Sequence, residues 1–150
     1  MAGTVTMIQT NYKVFGETTI KKLVFTCTAD VAAASYPETS TGTVTGAKGQ
    51  NTTHTQWFRG WFLHKIIVDP GAVAPTVDSD LTIKDDHGID VLDGNGTDLI
   101  HNTDSKQSYA MIDGVPSLQP MMSDLTLAIT NNAVNSAVLT VTLVFVRTIM

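Results

Sequence analysis

Large apolar side chains recur at every second position in Leu23, Phe25 and Cys27, again in Leu125, Leu127 and Ile129, and again in Leu139, Val141, Leu143 and Phe145. A period of two places alternate residues on opposite faces of an extended strand, whereas a helix would scatter them around its circumference. No convincing long amphipathic helical pattern competes with these runs, and Gly, Pro, Asn and Asp interrupt the chain at short intervals. The sequence therefore predicts one all-β domain over residues 1–150, an antiparallel β-sandwich of jelly-roll-like or Greek-key form.

The stretch around which the rest is arranged runs from Gln56 to Leu92 and holds both tryptophans. Trp57 to Val68 reads as a strand without a polar side. Phe58, Phe62, Ile66 and Val68 share one face and Trp57, Trp61, Leu63 and Ile67 the other, as in a strand covered on both sides. Arg59 and Lys65 fall on the tryptophan side. Trp57, Arg59 and Trp61 thus form a candidate interface, since Trp and Arg are favoured anchors of protein contacts; a strand buried between its own sheet and a loop fits the same pattern. Asp69-Pro70-Gly71 stops the strand, because proline cannot donate to the ladder and glycine permits the turn. A short strand follows through Leu81 and Ile83, then the turn Asp85-Asp86-His87-Gly88, a continuation through Ile89, Val91 and Leu92, and the turn Asp93-Gly94-Asn95-Gly96.

On the N-terminal side, residues 1–10 read either as an edge strand through Val5 and Met7 or as an arm that reaches a neighbour. Thr18 to Thr28 is a half-buried strand, with Tyr12 to Phe15 as its hairpin partner. Residues 29–55, rich in Ala, Ser, Thr and Gly, read as a long loop, a candidate for a segment that becomes fixed on assembly. Thr97 to Met111 fits loop or strand. The chain closes in an expected hairpin from Leu125 to Phe145, connected by Asn131 to Ser136. Its last strand becomes apolar on both sides at Val144 and Val146, and so is central or buried in an interface.

Composition narrows the functions. Charged residues make up 15% of the chain, against roughly 25% in ordinary soluble domains, and such a surface suits burial in contacts. The net charge of −5 comes without any basic run, which disfavours sequence-independent nucleic-acid binding. No apolar segment is long enough for a membrane-spanning helix, and the N-terminal residues lack the order of a signal peptide, so the expectation is synthesis in the cytosol with no membrane partner. Cys27 stands alone in an alternating apolar run and reads as a small buried hydrophobe. His54, His64, His87 and His101 are scattered singly, without zinc-ligand spacing. Asp93, Asn95 and Thr97 resemble the start of a calcium loop, but an EF-hand needs glycine at its sixth position and glutamate at its twelfth, where Asp98 and Asp104 stand. No phosphate-cradling glycine loop or nucleophile elbow occurs. The sequence predicts no catalytic residues, metal site or cofactor, and a protein that is not an enzyme.

The block WFLHKIIVDPGAVAPTVDSDLTIKDDHGIDVLDG and the closing LTLAITNNAVNSAVLTVTLVFV resemble small β-rich structural proteins of tailed-bacteriophage virions. The likeness is carried by Asp69, Pro70, Gly71, Pro75, Thr76, Leu81, Ile83, Asp86, Gly88, Asp90, Val91, Leu92, Leu125 and Leu127, and covers about the C-terminal two-thirds of the chain. It implies a virion component made in the bacterial cytoplasm, homo-oligomeric and in contact with the major capsid protein or other virion proteins. A head decoration or cement protein is the preferred expectation, and a ring or adaptor of the neck or tail is the alternative. A carbohydrate-binding or host-attachment module using Trp57 and Trp61 is the further alternative.

Overall fold

The computed structural model describes residues 1–42 and 53–147. In chain order the elements are β1 (Thr4–Val14), β2 (Glu17–Thr28), β3 (Thr39–Ser40), α1 (His54–Phe58), β4 (Phe62–Pro70), β5 (Asp80–Lys84), β6 (Lys106–Tyr109), β7 (Met111–Ile112), β8 (Val115–Pro116), β9 (Gln119–Pro120), β10 (Thr126–Thr130) and β11 (Val138–Val146). The larger sheet runs β1-β2-β11-β4-β6, with β9 also paired to β4, and the smaller runs β3-β10-β5; β7 and β8 form a separate hairpin. All strand pairs are antiparallel. The predicted all-β antiparallel sandwich is the observed architecture.

Both sheets turn their alternating apolar faces to one core. Leu23, Phe25 and Cys27 of β2, Leu139, Val141, Leu143 and Phe145 of β11, and Leu63, Ile66 and Val68 of β4 meet Leu81 and Ile83 of β5 and Leu127 and Ile129 of β10. Burial of such side chains contributes about 1.5–3 kcal/mol each, so the alternation itself selects the fold. Leu63 and Ile66, three positions apart, both reach the core because the register of β4 on β11 slips: Val144 faces Lys65 while Phe145 faces Leu63. His64 is the extra residue of that β-bulge, which resets the alternation.

The structure corrects several sequence expectations. Trp57 to Val68 is not one strand: Trp57 and Phe58 end the short helix α1, and the strand begins at Phe62. Thr53 caps the helix in a capping box, accepting from the Gln56 amide while its own amide donates to the Gln56 side chain, both at 3.2 Å. That local bonding overrides the β-propensity of the aromatic run. Leu63 faces the core and Phe62 the outer side, the reverse of the expected faces. The stretch from Ala29 to Thr55 contains β3 and the start of α1, and its residues 43–52 lie outside the described ones. Ile89 to Leu92 forms no strand beyond a bridge from Lys84 to Asp90, and the chain turns repeatedly up to Asp98.

The expected C-terminal hairpin is also absent. β10 pairs with β5 and β3, while β11 pairs with β2 and β4. The segment from Asn131 to Ser136 carries the chain across the core from one sheet to the other. The two strands do point their apolar faces at each other, but across the sandwich, a distinction that alternation alone cannot make. β11 lies at the centre of the larger sheet. Residues 1–10, open at the sequence level between edge strand and arm, enter from Thr4 an edge strand that continues through the expected hairpin partner to Val14 and pairs with β2.

Candidate interaction surface

α1 and the start of β4 set the two tryptophans at one end of the core. Phe58 points inward and stacks on Phe145, with ring centroids 4.7 Å apart and planes within 9°. Gly60, at a φ of +81°, turns the chain, so that Trp61 follows from the outer end. Lys21 stands on the inward face of β2, opposite Phe145 and one step beyond the pair Leu23–Leu143. Its ammonium lies 4.9 Å from the Trp57 ring centroid and 4.6 Å from that of Trp61, and it donates a hydrogen bond to the Trp57 carbonyl. The two rings thus accommodate a cation at the end of an apolar core. Burial, and then the nearby Arg147 charge, lower the lysine pKa.

Of the candidate interface, Arg59 is exposed, whereas Trp57 and Trp61 are half-buried and packed against the core. The tryptophans do not share a strand face, and their rings are already occupied by Lys21. Lys21 escaped sequence reasoning because the Thr18–Thr28 alternation marks it only as the next inward position after Leu23.

The structure instead leaves the outer face of the larger sheet without a facing layer among the described residues. The registers align Ile8, Val24, Thr142, Ile67 and Gln107 across five strands, and beside them Thr10, Lys22, Val144, Lys65 and Tyr109. Thr6, Thr26, Thr140 and Asp69 form the next row. None of Ile8, Val24 or Ile67 belongs to the core, and Ile8 is exposed. Val144 is buried between Lys22 and Lys65, whose stems can cover it. The available sequence signal was the apolar character of Val144 and Val146 opposite the core-facing side.

The polar groups named from sequence are dispersed. His54 is buried, with Nδ1 2.8 Å from the Gln9 side-chain nitrogen, and burial lowers its pKa. His64 lies against Tyr109, His87 beside Asp86, and His101 accepts from Thr103 and Asp104. Asp85 and Asp90 accept backbone amides of their own turns, and Asp93 accepts from Gly114. Among the described residues no group of His, Cys, Asp or Glu is arranged to hold a metal ion. Cys27 is fully buried, and burial pushes its thiol up to about 12, so it is held as the unreactive protonated form. No protein-family model matches the chain, and neither a curated protein nor a solved structure shows significant similarity to it.

Proposed function

We propose that this chain is a structural subunit of a bacteriophage virion, a head decoration or cement protein that docks the outer face of its larger sheet on other virion proteins. The observation that carries this reading is the unpartnered apolar and threonine-rich face running from Ile8 through Val24 and Thr142 to Ile67. Five strands spaced about 4.8 Å apart, averaging about nine residues at a rise of about 3.3 Å each, present roughly 600–700 Å² in projection. Stable protein contacts bury about 800 Å² per partner, so this face with its rim is of a suitable size. A modest affinity per copy, repeated over a shell, becomes firm attachment through avidity. The resemblance of the Trp61–Gly94 and Leu125–Val146 blocks to tailed-phage virion proteins supports the same reading.

The mechanism is passive. Each copy would bridge neighbouring shell subunits, so that internal pressure must break the added contacts as well as the original ones. The reading includes no catalytic role or cofactor. Particles assembled with Ile67→Lys should lose the protein while the free variant unfolds at the wild-type temperature. Shells lacking the protein should yield at lower temperature and load. Equal resistance of complete and depleted shells would sink the cementing role, and a copy number of about a dozen or fewer would move the protein to the neck or tail.

A further inference from the structure

The β1–β2 hairpin extends past its neighbour. β11 pairs with β2 only as far as Ile20, so residues 13–18 form a two-stranded arm. The register slips between Tyr12 and Lys13, a bulge that re-aims the tip. At the tip, Phe15 and Gly16 occupy the two-residue turn with φ of +50° and +83°. Such turns favour Asn-Gly or Asp-Gly, because a bulky residue is strained at positive φ. Phe15 is nevertheless there, with its side chain fully exposed and Val14 exposed beside it. A strained, solvated phenyl group at the end of an arm weakens the isolated fold and points to a use outside it.

The same molecule carries a cavity of a size to receive it. It has a volume of about 240 Å³ and lies between the Asp85-Asp86 turn and the segment after β9, and its walls mix Val91, Met121 and Met122 with polar His87, Gln119 and Ser123. An apolar cavity of about 150 Å³ accepts benzene, so this one has room for a phenyl ring. Met122, 66% exposed at its edge, is a flexible side chain suited to close around an inserted ring. Charge matches as well. The arm and its base carry Lys13, Lys22 and neighbouring Arg147 against the single acid Glu17, whereas the cavity rim carries Asp85 and Asp86. The arm cannot serve its own cavity: β2 and β11 separate β1 from β4, on which β9 sits, a lateral gap of roughly 14 Å.

We propose that the Phe15 tip of one copy inserts into the Asp85–Met122 cavity of a second copy, giving a head-to-tail contact. Because tip and cavity are different surfaces, the contact is heterologous and propagates into a ring if its rotation closes, or into an open string if it does not. The inference rests on the arm and the cavity alone and does not require the virion reading.

The test is sedimentation velocity of the full chain up to roughly 100 μM, using Phe15→Asp as a tip-defective variant and Met122→Lys as a cavity-defective one. Both positions are exposed, and thermal unfolding checks that each variant is folded. The wild type should assemble beyond a dimer, and each variant alone should weaken association at least tenfold. An equimolar mixture should form a one-to-one dimer and stop, since only one intact tip meets one intact cavity. Lys13→Glu should weaken assembly, and Lys13→Glu with Asp86→Lys should restore part of it. A wild type that stays monomeric, assembly unaffected by Phe15→Asp, or a mixture that forms no dimer would each overturn the proposal. Ile67→Lys, which probes the outer face, should leave self-association intact, so the two readings fail separately.

Discussion

The side-chain amide of Asn132 donates a 2.7 Å hydrogen bond to the carbonyl of Ala34, 98 residues earlier in the chain. The same side chain donates to the Val134 carbonyl at 2.9 Å and accepts from the Thr76 amide at 3.0 Å and the Val134 amide at 3.3 Å. Asn132 therefore ties together the turn after β2, the loop before β5 and the crossing between the sheets. Replacement by alanine leaves several partly buried backbone groups without these partners and should cost about 2–3 kcal/mol. Asn132→Asp keeps the acceptor but sets a carboxylate oxygen against the Ala34 and Val134 carbonyls, so it should cost at least as much. Urea unfolding with unchanged slope is the measurement.

Thr41 joins the start of β10 to α1. Its hydroxyl accepts from the Leu125 amide at 2.9 Å and lies 2.7 Å from the Thr55 hydroxyl, with both threonines fully buried. Thr41→Val preserves the shape but leaves the Leu125 amide unsatisfied, so a loss of about 1–3 kcal/mol is expected. Thr41→Ser retains the hydroxyl and should recover most of it. Comparing the three thermal midpoints separates the hydrogen bond from packing.

Two glycines in one turn system should respond unequally. A methyl group on Gly96 would fall 1.8 Å from the Leu81 carbonyl oxygen, which is backbone and cannot swing aside, whereas one on Gly94 would meet nothing but would stand at a φ of +79°. Gly94→Ala should cost about 1 kcal/mol, the penalty for a left-handed non-glycine residue. Gly96→Ala must displace β5 and should cost clearly more, upwards of about 2 kcal/mol. Equal destabilisation in denaturant melts would show that β5 yields easily.

His54 makes stability depend on pH. Burial lowers its pKa below the usual 6.5, so as pH falls through 6.5 the unfolded chain takes up a proton before the folded one does. Stability is then full above that value and declines until the folded pKa is passed. Melting temperature should fall between about pH 7 and pH 5, and His54→Gln should flatten this part of the profile. Asp30 acts in a lower window: backbone amides of Ala33 and Ala32 hold its carboxyl below the ordinary 3.8, so its contribution is lost only in stronger acid.

The core was legible because burial leaves a period-two signature: Leu23 to Cys27, Leu127 to Ile129 and Leu139 to Phe145 lie inward as their spacing indicates. Pairing was not legible. Leu127 and Leu143 would show the same alternation in a hairpin or in facing sheets, and the choice depends on the path of Asn131 to Ser136. Around Trp57 the sequence misled because a five-residue helix is too short to show a period and is fixed by Thr53 and Gln56 instead. The bulge at His64 shifted every face assignment on its N-terminal side. Of the candidate interface, Arg59 is exposed while Trp57 and Trp61 hold Lys21 between them, a contact hidden from the sequence because the lysine comes from a strand remote in the chain.

The central position of β11 also governs when the molecule can exist at all. β2 and β4 both wait for this strand, and each binds it along most of its length. During synthesis β2 and its hairpin partner β1 emerge on the order of ten seconds before β11 is made, with Leu23, Phe25 and Cys27 exposed meanwhile. The larger sheet is therefore completed only after β11 emerges, by long-range pairings that close slowly. A nascent chain stalled ahead of Val138 would be a ready client for chaperones and a hazard for aggregation.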